Sequence, residues 1–227
     1  MTDVNACILL DTFVITEPTA ITATNIITDV SCNGLSDGSV FLSISGGTPG
    51  YTEDWGIFNP SSLSAGTYNY TVTDANTCIY TNSVIINEPN LISTTTLVSN
   101  VSCNGGSDGS ATLTISGGTP AYSINFLIYN LTLSSNILTT PAIISSGNYP
   151  YVVTDAYGCT FSSTVNITEP TALTTSSLIF TDESCFGASD GLATVNPNGG
   201  TPPYTYIWFD GSTGLPIGQT NQTASGL

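Results

Sequence analysis

The chain contains no lysine, no arginine and no histidine in 227 residues, and its 16 aspartates and glutamates leave a net charge of −16. That absence removes whole classes of chemistry. Neither a Ser-His-Asp nor a Cys-His site can be assembled. No lysine is present to form a Schiff base, and no cationic side chain is present to hold a phosphate. Nucleic acid is excluded as a partner, because neutralising its backbone needs lysine or arginine. A Lys–Asn isopeptide crosslink is equally impossible, and anionic lipid surfaces repel such a chain. A pair of carboxylates, as in glycosidases, is the catalytic option that remains. The acids recur inside turn motifs in each repeat, however, so the chain reads as a non-enzyme. No apolar run is long enough to span a bilayer, so no membrane insertion is expected here.

Only 7% of residues are charged, while 40% are apolar. Thr, Ser, Asn and Gly supply the remaining polarity. Thr, Val, Ile and Tyr favour strands, and Gly, Asn, Asp and Pro mark turns. No convincing helical period is present, so the fold class is all-β.

The chain repeats itself. Val30-Ser-Cys-Asn-Gly-Leu-Ser-Asp-Gly-Ser39 returns as Val101-Ser-Cys-Asn-Gly-Gly-Ser-Asp-Gly-Ser110, and more loosely as Glu183-Ser-Cys-Phe-Gly-Ala-Ser-Asp-Gly-Leu192. Gly-Gly-Thr-Pro follows at Gly46, Gly117 and Gly199. Thr-Asp-x-x-x-Cys ends at Cys7, Cys78 and Cys159, and Glu-Pro stands at Glu17, Glu88 and Glu169. Cys32 and Cys103 lie 71 residues apart, as do Glu17 and Glu88. The next spacings are 82 and 81 residues, and the extra ones fall between Tyr122 and Gly147, read as a longer loop or hairpin. Four pieces follow: residues 1–18, the end of a preceding repeat; 19–89, a complete repeat; 90–170, a complete repeat with the longer loop; and 171–227, a partial repeat. Such a chain is expected to be a slice of a longer one, so a missing leader peptide carries no information.

Within residues 19–89, Ala20–Ile27 reads as a first strand. Ser39–Ser45 alternates, with Val40, Leu42 and Ile44 on one face. Tyr51–Trp55, Gly66–Asp74 and Ile79–Asn87 follow, and Glu88-Pro89 ends the last. Trp55, Phe126 and Trp208 align as core aromatics, and Tyr51, Tyr122 and Tyr204 align likewise. Tyr68 and Tyr149 stand where a tyrosine corner ties a loop to a strand. Pro197 replaces the position of Ile44 and Ile115 and predicts a shortened strand. Short strands with regularly spaced turns predict a tandem array of small Ig-like or PKD-like β-sandwich modules, each stapled by one disulfide.

Repetition assigns the cysteines. One leading and one trailing cysteine per complete repeat predict Cys32–Cys78 and Cys103–Cys159, each tying loops at one end of its module. Cys7 and Cys185 would pair outside residues 1–227. Each bridge closes about fifty residues, worth about 4 kcal/mol in the chain-entropy model, and implies an oxidising compartment. Zinc or redox chemistry is the other reading of such thiols, but no Cys-x-x-Cys and no histidine is present.

The recurring acids are Asp37, Asp74, Glu88, Asp108, Asp155 and Glu169. Two readings are open. They cap turns and precede a stiff proline, or they hold calcium at the seams between modules as hard oxygen ligands. No Asp-x-Asp-x-Asp loop is present. Phe58, Tyr80 and Tyr157 are candidates for stacking on sugar rings.

The order Ser-Cys-x-Gly-x-x-Asp-Gly, Gly-Gly-Thr-Pro-x-Tyr, Gly-x-Tyr, Val-Thr-Asp-x-x-x-Cys and Glu-Pro resembles the SprB-type repeat across essentially the whole chain. That repeat occurs in tandem in very large cell-surface proteins of Bacteroidetes, including gliding-motility adhesins. The resemblance implies export by the type IX secretion route, an extracellular, cell-surface location, and adhesion to abiotic surfaces or polysaccharides. Other repeats of the same chain would be the nearest partners. The expected role is a rigid extracellular spacer with weak multivalent binding. The alternatives are a self-assembling filament or sheath and an accessory array on a secreted enzyme.

Overall fold

The structure, a computed structural model, describes residues 1–126, 129–133 and 135–227. Among these residues all regular structure is β, and every strand pairing is antiparallel. The chain divides into two compact units, Met1–Leu91 and Ile92–Leu227.

In the first unit β1 (Thr22–Thr28) pairs with β2 (Ser39–Ser45). A second sheet has the order β3 (Thr52–Asp54), β4 (Gly66–Thr73), β5 (Ile79–Ile86). Alternation sets the faces, since neighbouring strand residues point to opposite sides. Val40 and Leu42 of β2 meet Tyr68, Tyr70 and Val72 of β4 and Val84 and Ile86 of β5 in one buried cluster with Trp55 and Leu63. The Trp55 ring stacks on Tyr70 at 4.8 Å between centroids. Tyr68 is the expected corner, its hydroxyl donating to the Ser64 carbonyl at 3.0 Å, and Tyr149 does the same to Ser145 at 2.9 Å.

The second unit repeats this plan with additions. β6 (Ser93–Ser99), β7 (Ser110–Ser116) and β10 (Ile137–Thr139) form one sheet. β8 (Tyr122–Phe126), β9 (Tyr129–Leu133), β11 (Gly147–Thr154) and β12 (Thr160–Ile167) form the other, in the order β12-β11-β8-β9. Leu113, Ile124, Phe126, Val153 and Ile167 close its core. The longer segment between Tyr122 and Gly147 supplies a hairpin, β8 to β9, and the added strand β10. Part of that segment, residues 127, 128 and 134, lies outside the described residues.

Residues 171–227 carry β13 (Thr174–Thr181), β14 (Leu192–Asn198) and β15 (Thr223–Ser225) as a single sheet. Trp208 is half-buried here, unlike Trp55 and Phe126. The shortening expected at Pro197 does not occur. β14 keeps seven residues, as β2 and β7 do. The irregularity falls on the partner, where the register shifts between Thr175 and Ser177. A bulge opposite a proline accommodates the missing ladder N–H.

Candidate functional site

Each module has a proximal end, where the chain arrives, and a distal end, where it leaves. The recurring motifs build one clamp at each end.

The distal clamp forms from the leading loop. Asp37 accepts the Ser31 N–H at 3.0 Å, and the Ser31 hydroxyl donates to its second oxygen. The Ser31 hydroxyl first, and its backbone N–H second, hold the Asp37 carboxyl below the usual carboxylate range. The closed loop grips the departing chain. Gly34 N–H donates to Glu88 Oε2 at 2.6 Å, Asn33 Nδ2 to the Pro89 carbonyl at 3.1 Å, and Val30 N–H to the Asn87 carbonyl at 2.9 Å. The second unit copies every part. Ser102 N–H donates to Asp108 at 2.9 Å, Gly105 N–H to Glu169 at 2.7 Å, Asn104 Nδ2 to the Pro170 carbonyl at 3.2 Å, and Val101 N–H to the Thr168 carbonyl at 3.0 Å. Asp108 and Asp190 are lowered for the same reason as Asp37, by Ser102 and Ser184.

The proximal clamp centres on a buried carboxylate. Asp74 is 4% exposed and Asp155 6%. Asp74 Oδ2 accepts the Thr48 N–H at 2.8 Å, and Oδ1 accepts the N–H groups of Asn76 at 2.9 Å and Cys78 at 2.8 Å. The Thr48 N–H is the main cause of its lowered pKa. Asp155 holds Thr119, Tyr157 and Cys159 at 2.8, 2.9 and 3.0 Å. Asp3 holds Asn5 and Cys7 at 2.9 and 2.8 Å, a third copy of the turn. Gly47, at φ 61°, brings the Gly-Gly-Thr-Pro turn against the arriving chain, its N–H donating to the Thr19 carbonyl at 2.6 Å. A Cβ there would stand 2.7 Å from Ile21 Cγ1 and 2.8 Å from Asp74 Oδ2, so only glycine fits.

The two clamps meet on adjacent residues. Asn104, at the distal end of one repeat, holds the Pro170 carbonyl, and Gly200, in the proximal turn of the next, holds the Thr171 carbonyl at 2.8 Å. The junction at Pro170-Thr171 is therefore tied from both sides, with no slack residue between the ties.

All six acids expected as calcium ligands thus accept backbone N–H groups: Asp37 and Asp108 within their own loops, Asp74 and Asp155 from their own turns and from Thr48 and Thr119, and Glu88 and Glu169 from Gly34 and Gly105 of the leading loop. Among the described residues, no three acidic or cysteine side chains converge as a metal site. Sequence reasoning gave no role to Asn33, Asn104, Thr48 or Thr119. Their recurrence beside cysteine and glycine was the available signal.

The expected pairing of the cysteines is corrected. Cys78 and Cys103 are free thiols, as are Cys7 and Cys185, so Cys32–Cys78 and Cys103–Cys159 are not formed and no module is stapled to itself. Cys32 and Cys159 are the disulfide-bonded cysteines. The reason is geometric. Cys32 belongs to the distal loop, whereas Cys78 belongs to the proximal turn, and the eight residues of β5 run between those ends. Eight strand residues span about 26 Å, far beyond the roughly 7 Å limit between bridged Cα atoms. The same holds for Cys103 and Cys159 across β12.

Of the aromatics proposed for sugar stacking, Tyr157 is 65% exposed on the proximal turn. Phe58 lies edge-on to Tyr68 at 4.9 Å, and Tyr80 is half-buried near Tyr70. Trp55 belongs to the core.

Comparison with known families gives one family match. The model described as the SprB repeat matches residues 24–55, 95–126 and 177–213. The matched segments begin in β1, β6 and β13 and so follow the register of the repeats. SprB repeats occur in cell-surface proteins of Bacteroidetes. No curated protein matches the chain.

Proposed function

From the premise that this chain carries three matches to the SprB repeat, we propose that it is a structural and adhesive repeat region of a large secreted cell-surface adhesin, a stiff spacer that holds binding surfaces away from the cell. The observation that carries this reading is the double tie at Pro170-Thr171. A linker whose successive carbonyls are held by two neighbouring modules has lost most of the torsional freedom that makes linkers flexible. Charge supports the same reading. A net charge of −16 with no basic residue repels neighbouring chains, and the absence of lysine and arginine removes every trypsin site. Weak contacts to surfaces or polysaccharide, through outward aromatics such as Tyr157, would add up over many modules.

The test is attachment. Antibody raised against residues 19–170 is expected to stop living cells of the source organism from binding glass or polysaccharide and to label threads that move along the cell. An immobile, uniform coat with attachment unaffected would overturn the adhesive role.

A second reading, lateral self-assembly into a filament or sheath, is favoured by one observation. Ile26 and Phe41 pair across β1 and β2, and both are about two-thirds exposed. Polymerisation of the purified chain on screening its charge with salt would support it.

A further inference from the structure

We propose that Asn33 and Asn104 are modification sites: each loses its side-chain nitrogen as ammonia to attack by the backbone nitrogen of the following glycine, and the loss loosens the distal clamp of its own repeat.

The leading loop sets the reacting groups side by side. Leu35 N–H donates to the Cys32 carbonyl at 3.1 Å, and Gly106 N–H to the Cys103 carbonyl at 3.0 Å. Asn33-Gly34 and Asn104-Gly105 are therefore the central pairs of two β-turns, with the glycines at φ 80° and 73°. Both asparagines are exposed. A Cβ at either glycine would meet nothing within 4 Å, so water reaches the corner and no side chain screens the attacking nitrogen. The observation that carries the proposal is the acid on that nitrogen. Glu88 Oε2 accepts the Gly34 N–H at 2.6 Å, and Glu169 Oε2 accepts the Gly105 N–H at 2.7 Å. A carboxylate within hydrogen-bond reach of the proton to be removed stands where a general base acts.

The step balances without oxidant or reductant. Glu88 takes the Gly34 amide proton as that nitrogen bonds to Asn33 Cγ. The Cγ–Nδ2 bond breaks, and the proton leaves with Nδ2 as ammonia. Water then opens the cyclic imide at either carbonyl and gives aspartate or isoaspartate. Glu169 serves Asn104 in the same way.

The departing nitrogen is itself part of the clamp. Asn33 Nδ2 donates to the Pro89 carbonyl at 3.1 Å, and Asn104 Nδ2 to the Pro170 carbonyl at 3.2 Å. The product is a carboxylate with no hydrogen to donate. It stands one residue from the nitrogen that Glu88 or Glu169 holds, and the chain has no basic residue to offset the added charge. At Pro170-Thr171 the tie from Asn104 is lost and the tie from Gly200 remains. Each clamp therefore softens with age. In residues 171–227 Phe186 stands at the matching place, and Gly187 N–H turns to Glu183 at 3.3 Å, so that loop has no amide to lose.

The chain holds its own comparator. Asn198-Gly199 is the third Asn-Gly pair, and Asn198 ends β14 instead of occupying the leading loop. The whole chain is held at mildly alkaline pH and physiological temperature over weeks, then cut with chymotrypsin and mapped by mass spectrometry for amide-to-acid conversion and isoaspartate. Asn33 and Asn104 are expected to convert about tenfold faster than Asn198, a smaller factor than the roughly hundredfold or more of a general base in an active site. Glu88→Gln keeps an acceptor for Gly34 but removes the base, and is expected to slow Asn33 and leave Asn104 unchanged. Asn33→Asp, one of the two products, is expected to lose hydrogen-exchange protection at Gly34 while Gly105 keeps its own. Equal rates at all three asparagines would overturn the proposal. So would a Glu88→Gln chain in which Asn33 converts as fast or faster, or an Asn33→Asp chain that keeps Gly34 protected.

Discussion

Asp74 Oδ2 accepts the Thr48 N–H at 2.8 Å and so joins two turns that lie 26 residues apart in sequence. The same carboxylate holds its own turn through Asn76 and Cys78. One side chain therefore fixes the proximal end of the module, and Asp155 repeats the arrangement. Asp74→Asn removes the charge from three N–H acceptor contacts and leaves an amide that presents one oxygen. Charge-assisted bonds are about twice as strong as neutral ones. The expected outcome is a Tm lower by several degrees, with hydrogen-exchange protection lost at Thr48, Asn76 and Cys78 and retained at Ser31. Loss spread evenly over the unit would contradict the local role of Asp74.

Acid acts on the same clamps. Hydrogen bonds lower the Asp37, Asp74, Asp108 and Asp190 carboxyls below their ordinary value, and Asp210 falls to about 2 under the hold of the Ser212 hydroxyl. A group lowered in the folded state contributes stability that is complete above its unfolded pKa, about 3.9, and is lost as pH falls through the folded value. Amide protection at Ser31, Thr48, Ser102 and Ser184 is therefore expected to be flat from neutral pH to about 4 and to fall below it. A midpoint near pH 6 would contradict the assignment.

Salt and calcium separate the two readings of the acids. With 16 carboxylates and no basic side chain, general screening relieves self-repulsion, so Tm is expected to rise with sodium chloride. Turn-capping acids give calcium and magnesium the same effect at matched ionic strength. A rise in Tm specific to calcium, saturating at a fixed stoichiometry, would instead place ions among these carboxylates.

Thr77 occupies a left-handed backbone conformation at φ 65°, the position filled by Gly158 at φ 86° in the second unit. Left-handed geometry costs a β-branched residue about 1–2 kcal/mol. Thr77→Gly relieves that strain but adds freedom to the unfolded chain, worth about 0.4–1 kcal/mol. The expected net effect is stabilisation of roughly 0.5–1 kcal/mol, read from denaturant unfolding. Gly158→Thr is expected to destabilise.

The strands were legible because burial alternates along them. Val40, Leu42, Tyr68, Tyr70 and Val72 are a period of two that the core preserves. The acids were legible as turn residues, since Asp74 and Asp37 bond within six residues of themselves. Their long-range partners were not, because the link from Asp74 to Thr48 exists only after β3 and β4 have folded back. The cysteines show the same limit. Repetition supplies the period of Cys32 and Cys78, but the direction of each strand decides which end of the module each occupies. Counting three crossings between them would have separated them. Pro197 misled for a related reason, since its effect appears in β13 rather than in its own strand.

Cell-surface display is the central claim, and labelling of intact cells tests it most directly. Antibody against residues 19–170 is applied to living cells of the source organism with and without permeabilisation. The account predicts full labelling on intact cells, with no gain on permeabilisation. Signal that appears only after the envelope is opened would contradict it.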